Sequence, residues 1–315
     1  MKRKVIILLG PTATGKTDIS IGLAKLLNTE IISADSMQIY RYMDIGTAKP
    51  SLQQRTEVSH HMIDIVNPWD YFSAGAYIEE VGDIFEKLLK KDKIPLVVGG
   101  TGLYMRAMTE GIFEGPDADW NLRSKLLEIE KGKPGKLYSI LQEIDPYRAE
   151  KISPSDLRRI IRALEVCFKE KAKMSDLQKK FTKPLPYEFI KVGVIREREE
   201  LYSLIEQRVD KMLENGLVEE VRNVLRLIKK HGKTNFPLPS LQAIGYKEIA
   251  GYLADIYPLK EAIRLIKKRT KNYAKRQITW FRTERDILWF DISGRYDSDR
   301  IVMDIFSKIN FLLHK

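Results

Sequence analysis

The chain has 315 residues, enough for one large or two medium domains, and its 43% hydrophobic content is ample for a buried core. A single cysteine, Cys167, excludes an internal disulfide and any cysteine-built metal cluster, and its apolar helical neighbours mark it as a core thiol. The formal net charge of +11 points to a polyanionic partner such as nucleic acid, and no apolar run approaches the length of a membrane span, so the expectation is a cytoplasmic protein without membrane contact.

The first apolar run, 5–9, predicts a strand. It leads through Gly10-Pro11-Thr12-Ala13-Thr14-Gly15-Lys16-Thr17 into a helical pattern over 16–27, where Ile19, Leu23, Leu26 and Leu27 recur at helical spacing. Strand, glycine loop and helix in this order form the P-loop, G-x-x-x-x-G-K-[ST]. Its backbone N–H groups turn inward around a phosphate, the helix adds the positive end of its dipole, Lys16 brings a mobile charge, and the Thr17 hydroxyl is placed for Mg²⁺. The motif alone leaves open which phosphate compound is held, ATP or another nucleotide included.

A second short strand, 30–33, ends at Asp35, just past its carboxyl end, where open α/β sheets collect their ligands. The polar stretch from 46 to 65 reads as a loop returning to the sheet, and its adjacent His60 and His61 lack a third ligand for a metal. A helix follows over 73–91 with Ser73 as its cap, then a strand over 94–98 that turns at Gly99-Gly100-Thr101-Gly102. If the sheet is parallel, Lys16, Thr17, Asp35 and Thr101 face one crevice.

Beyond 112 the alternation breaks. Helical, charged segments over 120–131, 136–144 and 154–170 predict an insertion spanning 113–186, between a first core segment, 1–112, and a third segment, 187–315, with a return strand over 189–195. The remainder predicts helices over 199–215, 217–230, 243–253 and 259–282. In the last, Arg264, Lys267, Lys268, Lys271 and Lys275 share a stripe with few acids in the run to pair with, and it ends in basic residues interleaved with Trp280 and Phe281, a mixture suited to RNA. The fold class is therefore α/β: a P-loop NTPase-like parallel sheet flanked by helices, with a mostly helical insertion domain and a helical C-terminal region.

The P-loop, Asp35-Ser36-Met37-Gln38-Ile39-Tyr40, Gly99-Gly100-Thr101-Gly102-Leu103-Tyr104 and the stretch from Tyr273 to Arg282 stand in an order that resembles the bacterial tRNA dimethylallyltransferases. His60-His61-Met62-Ile63-Asp64, the run from Arg158 to Val166, Ile205-Glu206-Gln207-Arg208-Val209-Asp210 and Gln242-Ala243-Ile244-Gly245-Tyr246-Lys247-Glu248 extend the resemblance over nearly the whole chain. It implies transfer of a dimethylallyl group from dimethylallyl diphosphate to N6 of the adenine 3′ of the anticodon, in tRNAs reading codons that begin with U. The P-loop would then hold a prenyl diphosphate, with Mg²⁺ as cofactor and a tRNA anticodon stem-loop as partner of a monomeric enzyme.

The resemblance implies roles residue by residue. Residues 10–17 bind diphosphate, and Lys16, Thr17 and Arg208 act on it during catalysis. Asp35 takes the proton of the acceptor amine, because an adenine amino group is a weak nucleophile; the competing reading makes Asp35 a Mg²⁺ ligand through water. Asp35, Ser36, Met37, Gln38, Thr101, Arg123, Arg158, Arg159, Ile160, Ile161 and Arg162 form the tRNA-contacting set, with the Gln38 amide able to read an adenine edge. Three alternatives stay open at this stage: a P-loop small-molecule or nucleoside kinase, an adenylate dimethylallyltransferase acting on free nucleotide, and an RNA-binding switch.

Overall fold

In the computed structural model, which describes residues 3–232 and 237–314, the opening apolar run forms strand β1 (Lys4–Leu9), with Val5 through Leu9 at most 1% exposed. The chain continues through α1 (Lys16–Leu26), β2 (Ile31–Ala34), α2 (Leu52–Glu57), β3 (His60–His61), α3 (Ala74–Leu89), β4 (Leu96–Gly99) and α4 (Gly102–Thr109). The helices α5 (Trp120–Gly132), α6 (Lys136–Ile144), α7 (Pro146–Glu150), α8 (Leu157–Glu170) and α9 (Met174–Phe181) follow. The last part comprises β5 (Glu188–Ile195), α10 (Arg198–Glu214), α11 (Leu217–His231), α12 (Tyr246–Leu253), α13 (Leu259–Phe281), β6 (Ile287–Asp291) and α14 (Ser298–Leu313).

The strands make one sheet of order β3-β2-β4-β1-β5-β6, every pair parallel. Such a sheet is covered on both faces, and its central strands read as unbroken apolar runs instead of alternating. The carboxyl ends of β1, β2 and β4 lie side by side, which sets the P-loop, Asp35 and Thr101 along one edge. On one face α14 packs with α1, Ile301, Val302, Ile305 and Ile309 meeting Ile19 and Leu23. A second core joins Ile39, Tyr40 and Met43 to the apolar sides of α10, α11, α12 and α13.

Two compact units result. One takes the described residues up to Met105 and from Pro186 onward and contains the whole sheet; the other, Arg106–Leu185, is helical. The helical unit has its own core, built by Leu126, Leu137, Leu141, Ile160, Leu164 and Cys167 among others. Cys167 is 5% exposed there, and burial raises its thiol above the ordinary value.

Several elements differ from the sequence expectation, the short helices α2, α4, α7 and α9 among them. The stretch from 46 to 65 read as loop contains the edge strand β3, whose two residues gain backbone partners on β2. Strand β6 and helix α14 lie beyond the last expected helix. They form because Ile287–Asp291 completes the sheet beside β5, while Asp297 caps α14 by accepting the Arg300 N–H.

Candidate active site

The loop after β1 enters α1 through Gly15, which has φ +89° and nothing within 4 Å of where a Cβ would stand. The left-handed backbone, not crowding, is what asks for glycine. Lys16 Nζ donates to the Gly10 and Pro11 carbonyls at 2.9 and 2.7 Å, folding back over the loop it serves. Burial pushes the Lys16 ammonium down to about 7, the nearby Arg208 pushing the same way and Asp35 opposing. Arriving phosphate oxygens would restore its full charge, because an anion favours the protonated form.

Arg208, on α10, reaches the loop from the other side and donates from Nη1 to Thr12 Oγ1 at 2.9 Å. Lys16, Arg208, Thr12, Thr17 and Asp35 line one cleft of about 340 Å³. Asp35 closes an Asx turn in which its Oδ1 accepts the Met37 and Gln38 N–H groups at 2.8 and 3.4 Å. Both bonds fall on Oδ1, and Oδ2 takes no part in the turn. Thr101 Oγ1 accepts the Ser36 N–H at 3.1 Å and so ties the β4 turn to the β2 turn.

A neighbouring hollow of about 290 Å³ shares Thr12, Asp35 and Arg208 with this cleft and adds Met37, Val209, Met212, Ile244 and Ile266 as apolar wall. The oxygens available to a cation are hard ones: the Thr17 hydroxyl and the carboxylates of Asp18 and Asp35 line the cleft. That set fits Mg²⁺, which takes one or two protein oxygens beside phosphate and water. Among the described residues no group of three or more His, Cys, Asp and Glu could hold a metal by itself. His60 Nδ1 meets the Val58 carbonyl at 2.7 Å and His61 Nε2 meets Glu30 at 2.8 Å, so both histidines are engaged structurally.

The remaining expected residues divide. Gln38 is engaged at both ends of its amide: Oε1 accepts from Ser33 Oγ at 3.0 Å, and Nε2 donates to the Thr47 and Ala48 carbonyls, both at 3.3 Å. Reading an adenine edge would require breaking those bonds. In the helical unit Arg158 and Arg159 are exposed, the latter 3.4 Å from Asp156. Arg123 and Arg162 instead grip Glu165, whose side chain is fully buried, at 2.8 and 2.5 Å. Ile160 and Ile161 are 0% and 7% exposed and belong to the core of that unit, so their side chains present no surface to RNA. On α13 the basic stripe is less solitary than its own run suggested: Lys267 pairs with Asp210 and Lys271 with Glu206, both acids on α10.

Sequence reasoning missed three residues near the cleft. Tyr273 and Gln277 come from one side of α13 and line it; their four-residue spacing was the available signal, hidden inside a run read as RNA-facing. Glu220 on α11 accepts the backbone N–H groups of Asp44, Ile45 and Gly46 at 2.8, 2.7 and 2.9 Å and also bonds the Tyr246 hydroxyl. It fixes the turn that places Gly46 and Thr47 on the apolar hollow. Nothing local in the sequence marks it.

The profile of the IPP transferase family matches residues 38–284, and that of isopentenyl transferase matches 3–64. The tRNA dimethylallyltransferase of Thermodesulfovibrio yellowstonii is 70% identical over 315 residues, covering 100% of both chains. The chain belongs to the tRNA dimethylallyltransferase family. Solved structures agree with this membership. The tRNA isopentenylpyrophosphate transferase of Bacillus halodurans superposes with a TM-score of 0.72 at 38% identity, covering 99% of this chain and 97% of that one. A eukaryotic dimethylallyltransferase acting on tRNA gives a TM-score of 0.82 at 29% identity, over 99% of this chain and 80% of that one. The α/β architecture expected from the sequence, with its parallel sheet flanked by helices, is the architecture of this family.

Proposed function

We propose that the chain transfers a dimethylallyl group from dimethylallyl diphosphate to N6 of the adenine 3′-adjacent to the anticodon, in tRNAs reading U-starting codons. The observation that carries this reading is the meeting, in one cleft, of a phosphate cradle, Lys16 with Arg208, and a carboxylate, Asp35. A kinase would also need the cradle, but the family's tRNA-acting members favour alkyl transfer to RNA.

In the reaction a bond forms between adenine N6 and the first carbon of the allyl group as the bond from that carbon to diphosphate oxygen breaks. The electron pair leaves with the diphosphate. Residues 10–17 supply backbone N–H groups to its oxygens, and Lys16 and the Arg208 fork face the charge that grows there. Asp35 Oδ2 accepts the N6 proton, the Asx turn fixing the direction of the carboxylate. Met37, Val209, Met212 and Ile266 offer the apolar wall that a five-carbon chain requires. Thr17 would hold Mg²⁺; when bound, the ion neutralises part of the charge on the departing diphosphate.

The acceptor base lies in a loop and must be turned out of its stack to enter the cleft, at lower cost than from a duplex. Ser36 and Met37 line the hollow beside Asp35, with Thr101 tied to the Ser36 N–H, and the exposed Arg158 and Arg159 offer cations to the tRNA backbone, while Arg123 and Arg162 are engaged by Glu165. With tRNA as acceptor, the reading implies a cytoplasmic enzyme, and light scattering checks the monomeric state expected with it. Among the described residues no helix is long and apolar enough to cross a membrane.

The test is mass analysis of unmodified tRNA before and after incubation with dimethylallyl diphosphate, beside a parallel incubation with γ-labelled ATP. A dimethylallyl mass increment on the nucleotide 3′ of the anticodon is expected. Label passed to a small molecule, with tRNA unchanged, would overturn the reading.

A further inference from the structure

Gln277 is a polar side chain only 6% exposed on the side of α13 that meets the P-loop. Its Oε1 accepts the Thr12 N–H at 2.9 Å, and its Nε2 donates to the Gly100 carbonyl at 2.9 Å. The amide can take no other orientation, since an N–H only donates and a carbonyl only accepts. A Cβ on Gly100 would stand 2.1 Å from Gln277 Nε2, so the backbone of the β4 turn lies directly against the amide. Thr12, held by its N–H, in turn presents the hydroxyl that receives Arg208.

We propose that Gln277 is a positioning residue for the diphosphate, acting through Thr12; this rests on the function proposed above. By engaging the Thr12 N–H, Gln277 decides which amides of residues 10–17 remain turned toward the ligand. It also fixes the Thr12 hydroxyl and, through it, the Arg208 guanidinium. Because the same amide holds the Gly100 turn, the two strand-end loops keep one spacing, set by a residue of α13. The basic helix thus contributes an inward-facing side chain to the phosphate cradle, apart from any contact its exposed face makes with RNA.

Gln277→Met keeps the length of the side chain and removes both hydrogen bonds. Titrating inorganic diphosphate with Mg²⁺ into the full chain, we expect binding about tenfold weaker than in wild type, as for the loss of a buried hydrogen-bonded pair. The KM for dimethylallyl diphosphate should rise by the same factor, while affinity for an anticodon stem-loop stays at the wild-type level. In the ligand-free wild type, the Thr12 amide should exchange slowly with deuterium, a readout independent of whether the variant folds. Wild-type diphosphate affinity in Gln277→Met, an equal loss of RNA affinity, or open-loop exchange at Thr12 would each overturn the proposal. Absence of prenyl transfer by the wild type would instead overturn the function, and the diphosphate titration would still decide the role of Gln277.

Discussion

Asp35 illustrates how one residue can be tested in two roles. Asp35→Asn preserves the Asx turn, because the asparagine oxygen still accepts the Met37 N–H, but it removes the base. The expected loss is about 10²-fold or more in single-turnover prenylation, with tRNA affinity retained. Raising Mg²⁺ should not restore the rate; restoration would identify Asp35 as a metal ligand instead. Glu165 makes a second prediction at this scale. Burial pushes its carboxyl up, but hydrogen bonds from Arg123 and Arg162 outweigh burial and hold it below its ordinary value of 4.5. A depressed folded value contributes stability that is present above the unfolded value and lost as pH falls below it. Thermal melting followed by circular dichroism should show that loss setting in as pH falls below the ordinary carboxylate value of 4.5. Glu165→Gln should cost about 3 kcal/mol at neutral pH, by leaving two arginines beside a group that cannot neutralise them, and should flatten that part of the profile.

Helix α8 shows why a motif seen in the sequence is not a surface. The helix was legible over 154–170 and forms over Leu157–Glu170, starting three residues later because Asp156 caps it by accepting the Arg159 N–H at 3.1 Å. The division of labour among its arginines was not, because Glu165 lies three residues from Arg162 in sequence but reaches Arg123 on another helix. A prediction follows for the element. Arg158→Ala and Arg159→Ala should each lower the slope of log affinity against log salt for tRNA by about 0.7 to 0.9, the release of one counterion. Arg162→Ala should lower the melting temperature as well, through Glu165. Equal melting temperatures for all three variants would show that the Glu165 contacts add nothing to stability. The short helices α7 and α9 escaped the sequence reading because five and eight residues carry too little periodicity to be told from loop.

Each of the two units buries its own core, and calorimetry should therefore resolve more than one unfolding transition. Inorganic diphosphate at about 100 times its dissociation constant should stabilise the sheet-bearing unit by about 2.7 kcal/mol and leave the helical transition where it was. A shift of both transitions would mean that the units unfold as one. The sequence by itself determined the P-loop, the parallel sheet behind it and the strand-end position of Asp35, because these follow from contiguous apolar runs and from the fixed rule that such sheets bind at their carboxyl edge. Its ordered motifs also carried the family. Only the tertiary structure decided that Arg208 meets Thr12, that Gln277 takes one amide of the P-loop, that Gln38 is engaged by the 47–48 backbone and that Arg123 is held by a buried acid. Periodicity reports which face of an element is apolar. Partners for polar atoms come from elements distant in sequence, and no local pattern encodes which of them will arrive.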